Sequence, residues 1–383
     1  MADEDSEVEL GFVEKPENSI TLSSPFFPSK VGGKPSWLDL ENLPPLQLLS
    51  CKSCKKQMVF LLQVYAPVHE DERCFHRTVF VFCCKDGKCH KKDSSEAFLA
   101  LRNQLPRKNK FYSSTAPPIF VEGETVTLKT LDSRFRPRNF ACLCETCGCL
   151  GDKKCSQCHA VSYCCRDHQV FDWKAGHRKK CSKLAEELAS GKVKVDMQSK
   201  STNKLLFPEF EIITEPEPSE VESEERSEKE RMKDFEKITK KLDQVDLGGQ
   251  DDKELEKLAM AGKEDILADK QFRVFKKRIT RQPDQMLRYQ RGAKPLFVSK
   301  QHQPSNELIP KCSCGANRQF EFQIMPQLLN HLGVDSVEES IDWGTILIYT
   351  CTKNCESDTV AYHEEFVWKQ DFTDTGIPGN ALF

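Results

Sequence analysis

A chain of 383 residues with 56 Lys and Arg against 59 Asp and Glu is long enough for two or three domains, and its formal net charge of -3 provides no global basic field of the kind that would argue for nucleic-acid binding. Its 19 cysteines fall mostly into close C-x-C, C-x2-C and C-x4-C pairs, which favours metal in a reducing compartment over the disulfides of a secreted protein. Met-Ala-Asp-Glu-Asp-Ser-Glu at the start has neither a basic nor an apolar leader region, and no stretch nears the roughly eighteen apolar residues of a membrane span, so a soluble protein of cytoplasm and nucleus is expected.

Two short apolar runs, Met58 to Tyr65 and Val79 to Phe82, are rich in aromatic and β-branched residues and read as buried strands. Each lies beside a cysteine pair. Residues 144 to 181 then carry Cys144-x2-Cys147, Cys155-x2-Cys158, Cys164-x3-His168 and His177-x3-Cys181. Zinc takes four Cys or His ligands in a closed structural site, and ligands must arrive in pairs that one turn can hold. The eight-ligand series fits two interleaved tetrahedral sites.

The middle changes character. From Glu209 to Glu225 there are eight acidic residues and no basic ones, interrupted by Pro216 and Pro218, so a disordered or extended linker is expected. Met232, Phe235, Ile238, Leu242 and Val245 then form one apolar helix face that Gly248-Gly249 would end. A second stripe, Phe272, Phe275 and Ile279, runs up to Pro283. Both stripes read as faces packed on a domain. Near the far end, Phe320, Phe322 and Ile324 alternate with polar residues, Thr345 to Tyr349 forms another apolar run, and Tyr362 to Trp368 reads as a third strand.

The two ends resemble each other. Cys51-x2-Cys54 precedes Phe60-Leu61-Leu62-Gln63-Val64, and Cys312-x-Cys314 precedes Phe320-Glu321-Phe322-Gln323-Ile324. Val79 to Cys84 with Cys89 parallels Ile346 to Cys351 with Cys355. Cysteine pairs at neighbouring strand ends can close a sulfur tetrad, as in a zinc ribbon. A third zinc is therefore expected at Cys51, Cys54, Cys84 and Cys89, and a fourth at Cys312, Cys314, Cys351 and Cys355. Cys83 could replace Cys84, and His90 could replace Cys89. Cys74, Cys142, Cys149 and Cys165 fall outside every pattern and are expected to pack or stay free.

The expected architecture is mixed α+β and β-rich. It has an N-terminal β domain (1–138), a zinc finger (139–185), an acidic, largely disordered linker with a helix (186–262) and a C-terminal β domain (263–383), the two β domains being zinc-ribbon-like. No G-x-S-x-G elbow, phosphate-binding G-x-x-x-x-G-K-[ST] loop or H-E-x-x-H helix is present, and His363-Glu364-Glu365 lacks a second histidine, so no enzyme activity is expected. His69, His76, His302, His331 and His363 have no ligand partners and read as surface or packing residues. The basic stretches at 107–110 and 134–138 are short and read as solvated loops, so direct nucleic-acid binding is not expected.

The zinc module resembles a MYND finger, including Tyr163, Gln169 and Trp173, with His168 where most such fingers have Cys. By that family's cross-braced scheme Cys144, Cys147, Cys164 and His168 would share one zinc, and Cys155, Cys158, His177 and Cys181 the other. The flanks go further: Val8 to Phe12, Phe27 to Leu38, Phe60 to Pro67, Arg102 to Arg107, Phe207 to Ile212, Pro283 to Tyr289, and Arg291-Gly292 before Pro295-Leu296 are similar to the programmed cell death protein 2 family. That resemblance implies a dedicated chaperone for a small-subunit ribosomal protein of the S5 family, supporting small-subunit production, with a link to proliferation and cell death. Its client surface would be a groove between the two β domains, with sheet edges open to strand addition and the acidic run as an electrostatic sleeve. The alternative is a transcriptional adaptor whose finger binds proline-containing peptides of corepressors through Gln169 and Trp173. A lysine methyltransferase carrying a MYND insertion would need an Asn-His-Ser-Cys element, which the sequence lacks.

Overall fold

The computed structural model describes residues 7–115, 137–190, 203–219, 270–334 and 341–372. The strands are β1 (Glu9–Glu14), β2 (Lys30–Val31), β3 (Val59–Tyr65), β4 (His76–Cys83), β5 (Phe98–Leu105), β6 (Lys153–Lys154), β7 (Ser162–Tyr163), β8 (Phe210–Pro216), β9 (Leu287–Tyr289), β10 (Arg318–Ile324), β11 (Thr345–Cys351) and β12 (His363–Gln370). All except β6 and β7 close into one barrel, in the order β1-β8-β2-β3-β4-β5-β12-β11-β10-β9. Helices α1 (Arg166–Asp172) and α2 (Arg178–Ala189) belong to the finger, while α3 (Lys270–Ile279) and α4 (Leu329–Leu332) flank the barrel.

The repeat read in the sequence is a pseudo-twofold of the barrel. β3-β4-β5 and β10-β11-β12 are equivalent meanders, and both carry a bulge at the same point, the pairing slipping between Phe60 and Leu62 and between Phe320 and Phe322. Beyond the bulge, buried Gln63 and Gln323 do the same job. Gln63 Oε1 accepts from Ser36 N at 2.9 Å and Gln323 Oε1 from Leu296 N at 2.7 Å, so each amide pins the loop that follows a short strand, β2 or β9. Those short strands carry buried cations at matching positions, Lys30 opposite Gln63 and Arg288 opposite Gln323.

The two ends are not separate domains. Each half-sheet on its own would expose two edges of unpaired backbone groups. β5 meets β12 at one seam, with His363 opposite Arg102. At the other seam the N-terminal strand β1 pairs with β9 of the far half, β8 pairs with β2, and β1 and β8 pair with each other about Phe12 and Ile213. Buried ion pairs cross between halves: Arg77 of β4 with Glu321 of β10, and Arg102 of β5 with Glu365 of β12.

Strand β8 corrects the expectation of a linker over Glu209 to Ser219. Ile212 is buried, and the acids at either end of the strand have buried cationic partners: Glu209 pairs with Lys30, and Glu217 lies 2.9 Å from Arg288 and also pairs with Arg278. Those partners supply what the local sequence withholds. The helix expected over Met232 to Val245 lies outside the described residues. The stripe on α3 packs as expected, with Phe275 buried against Val298 and Met325 and flanked by Phe272 and Ile279.

The finger sits on the N-terminal half. Trp37, itself packed on Phe80 and Phe82 of β4, donates its indole N–H to the Gly148 carbonyl at 2.7 Å, and Lys34 Nζ donates to the Glu145 carbonyl at 2.6 Å. Asn203 holds the other side, donating to the Thr146 carbonyl at 3.1 Å. The finger's cysteines join the main buried cluster of the barrel.

Candidate metal centres

Among the described residues four groups of four side chains converge, each with its ligand atoms within 4.8 Å of one another. They are Cys51, Cys54, Cys84 and Cys89; Cys144, Cys147, Cys164 and His168; Cys155, Cys158, His177 and Cys181; and Cys312, Cys314, Cys351 and Cys355. These are the sets expected from the sequence, including the cross-braced pairing in the finger.

Local backbone geometry prepares each set. In the three C-x2-C turns the residue after the second cysteine donates its N–H back to the first cysteine's carbonyl: Lys55 to Cys51 at 3.0 Å, Gly148 to Cys144 at 2.9 Å and His159 to Cys155 at 2.9 Å. The tighter C-x-C turn does the same from Gly315 to Cys312 at 2.8 Å. All four donors have positive φ, 62° at Lys55, 72° at Gly148, 54° at His159 and 81° at Gly315. This left-handed step is strained for lysine and histidine, and it turns both thiols of a pair to one side. The sequence pattern marked the cysteines but not Lys55 and His159, which carry the turn without glycine.

The spacings fit zinc. Zinc–sulfur bonds of about 2.3 Å place tetrahedral ligands about 3.7 Å apart. Sulfur–sulfur distances are 3.6 Å for Cys54–Cys84, 3.6 Å for Cys147–Cys164, 3.9 Å for Cys155–Cys181, 3.5 Å for Cys312–Cys355 and 3.6 Å for Cys314–Cys351. A disulfide would need about 2.05 Å. His168 presents Nδ1, 3.6 Å from Cys144 Sγ, and His177 presents Nε2, 3.6 Å from Cys158 Sγ. Thiols so crowded cannot all ionise unaided. Hydrogen bonds from Cys147 and Cys164 hold Cys144 far below the ordinary thiol range, and the same contacts push Cys147 and Cys164 above it. A divalent cation at the centre removes that conflict.

The alternatives left open by the sequence resolve in favour of Cys84 and Cys89. Cys83 is fully buried and burial raises its thiol pKa, while His90 points its Nε2 at the Cys84 carbonyl at 2.7 Å and rests edge-on against Phe98. Cys74 and Cys149 are buried and Cys142 is exposed, none of them in a tetrad, and Cys165 precedes α1 without a side-chain capping hydrogen bond. His76 stacks on Phe27 with ring centroids 4.0 Å apart and His363 lies in β12, both buried packing residues, whereas His302 is exposed and stacks on Trp368 at 4.4 Å. Arg138 from the second basic stretch pairs with Glu145 at 2.7 Å; residues 134–136 lie outside the described residues.

A fully buried ion pair, Arg102 with Glu365, lies beside the fourth tetrad. Glu365 accepts from Arg102 Nε at 2.7 Å and from Cys351 N, and Arg102 also donates to the Cys355 carbonyl at 3.0 Å. The carboxylate thus orients a ligand's backbone, and the guanidinium offsets thiolate charge nearby.

Comparison with known proteins agrees with this arrangement. The family model described as programmed cell death protein 2, N-terminal domain, matches residues 7–119, the C-terminal putative domain of the same protein matches 269–371, and the MYND finger matches 144–181. The mouse protein named programmed cell death protein 2 is 42% identical over 96% of this chain and 97% of its own length, and the Bos taurus protein of that name is 42% identical over the same shares. A Schizosaccharomyces pombe protein named probable 20S rRNA accumulation protein 4 is 24% identical over 88% of this chain and 91% of its own. No solved structure matches the chain. With two family models at its ends, the finger between them and relatives aligned almost end to end, the chain belongs to the programmed cell death protein 2 family.

Proposed function

We propose that this chain is a dedicated, non-catalytic chaperone of cytoplasm and nucleus that holds a newly made small-subunit ribosomal protein of the S5 family until it is built into the small ribosomal subunit. The observation that carries the reading is the relative named for 20S rRNA accumulation, which aligns with 88% of the chain, barrel and finger together. Four zinc ions, one per tetrad, would brace the scaffold. Each tetrad already has four ligands, leaving no position for a zinc-bound water, so the metal acts on folding and not on a substrate.

The client surface differs from a groove with open sheet edges. Closure of the barrel leaves neither a cleft between two β domains nor a free edge at either seam. The electrostatic sleeve likewise changes, because residues 210–216 are a barrel strand and Glu209 and Glu217 pair with cations of the barrel; half-buried Glu211, exposed Glu215 and the acids after Ser219 remain for a basic client. Co-expression of the full chain with an S5-family protein tests the reading. A soluble complex that keeps the client off bulk RNA is the expected result, and failure to recover a complex in reducing, zinc-containing buffer overturns it.

A second reading has one observation in its favour. Val170, between Gln169 and Trp173 on the finger, is 41% exposed, a suitable foot for a proline-containing corepressor peptide. Peptide binding abolished by Val170→Asp, with no ribosomal client recovered, would favour the adaptor.

A further inference from the structure

The near-neutral total conceals a sharp segregation of charge. Between Lys270 and Leu296 the sequence carries nine Lys or Arg and one acid, Asp284. The exposed cations of this run lie on α3 and the loop after β9. α3 buries its apolar stripe on the barrel and leaves Arg273, Lys276 and Lys277 exposed on its other side. The loop after β9 adds exposed Lys294 at the mouth of a cavity of about 230 Å³, whose wall also includes Arg278 and Arg288. Glu217 answers Arg278 and Arg288. Among the described residues no carboxylate pairs with Arg273, Lys276 or Lys294.

The pseudo-twofold accounts for this opening. Gly32-Gly33-Lys34-Pro35-Ser36-Trp37 and Gly292-Ala293-Lys294-Pro295-Leu296-Phe297 are equivalent loops, pinned alike by Gln63 and Gln323. The finger covers the first, taking Lys34 and Trp37 as hydrogen-bond donors. At the second loop Lys294 stays exposed. The same loop continues to His302, which is exposed and stacked on half-buried Trp368 at 4.4 Å, its carbonyl accepting from the Trp368 indole at 2.9 Å.

We propose that this face, formed by α3 and the loop from Lys294 to His302, binds single-stranded RNA, the cations taking phosphates and the His302–Trp368 stack taking a base. An acidic peptide would satisfy the charges but has no use for an exposed aromatic platform, whereas single-stranded nucleic acid uses both. The assignment of a polyanion is independent of the client reading; only the choice of RNA over DNA rests on it.

The test is fluorescence anisotropy of an unstructured RNA 20-mer (about two OB-fold site lengths) with the zinc-loaded full chain across a salt series. Each phosphate contact contributes about 0.7 to the slope of log affinity against log salt. The triple variant R273Q/K276Q/K294Q should flatten that slope by about 2 and weaken low-salt binding by about tenfold or more. His302→Ala should weaken binding by about fivefold at every salt concentration, through lost stacking. A control triple on other faces, K108Q/K154Q/K179Q, all exposed, should change little. No measurable RNA binding, equal losses in both triples, or tighter and equally R273Q/K276Q/K294Q-sensitive binding of poly-glutamate would each overturn the proposal. Loss of the S5-family complex with RNA binding intact would fail the client reading alone.

Discussion

Replacing Glu321 by Gln should unlock the barrel between its halves. Arg77 and Glu321 are both fully buried; Arg77 Nη2 lies 2.7 Å from Glu321 Oε2, and Glu321 also accepts from the Thr350 hydroxyl and, at 3.3 Å, from Tyr289. The variant keeps the shape of the side chain but leaves a guanidinium buried without its counter-charge, a change that costs about 3–5 kcal/mol. The titration of the native carboxyl gives a similar figure. Burial alone would raise its pKa, but the Arg77 charge outweighs burial and holds it at about 2 against the ordinary 4.5, worth about 3 kcal/mol. Because the folded-state pKa is depressed, this stability is present above pH 4.5 and is lost as the pH falls toward 2. Urea unfolding of the zinc-loaded chain at pH 7 should show Glu321→Gln less stable by about 3 kcal/mol or more, with the difference shrinking in acid. The double change Arg77→Met with Glu321→Leu should recover most of the loss. A single variant within about 1 kcal/mol of the native chain would refute the pair as the link between halves.

Other perturbations separate the finger from the barrel. Gly32 has φ 61°, and a Cβ there would lie 1.9 Å from the Pro208 carbonyl oxygen, so Gly32→Ala should cost about 2 kcal/mol or more and expose the segment leading into β8 to protease. Trp37→Phe keeps the packing on Phe80 but strands the Gly148 carbonyl; a loss of about 1 kcal/mol is expected, read as faster amide exchange in the finger with barrel protection unchanged. Cys155→Ala should release the second finger zinc and unfold α2, whose Cys181 is a ligand of the same set, while the other three tetrads keep their metal.

The four Cys and His groups were legible because paired ligands must be held by a single turn, which puts their signature in four or five consecutive residues. The internal repeat was legible for a related reason: Phe60-Leu61-Leu62-Gln63 and Phe320-Glu321-Phe322-Gln323 spell the same bulged strand and the same pinning amide. Closure of the barrel was not. It depends on β1 and β8 crossing to partners far away in sequence, and nothing local to Glu9–Glu14 records a partner at Leu287. β8 read as linker because it lies inside a proline-broken run with eight acids and no basic residue from Glu209 to Glu225, yet Lys30 and Arg288 stand where the flanking acids Glu209 and Glu217 need them. β5 was not read in the sequence at all, its second half for a similar reason. Arg102, Asn103 and Gln104 are buried polar residues whose partners, Glu365 and the carbonyls of Ala361 and Asn354, all lie more than 200 residues downstream.

Counting zinc by native mass spectrometry of the reduced full chain, with metal release by a chelator followed in parallel, tests the four-tetrad scaffold most directly. The expected result is four ions per chain, two lost on mutating finger ligands and two on mutating Cys84 and Cys351. Two ions per chain, unaffected by changes at Cys84 and Cys351, would contradict it.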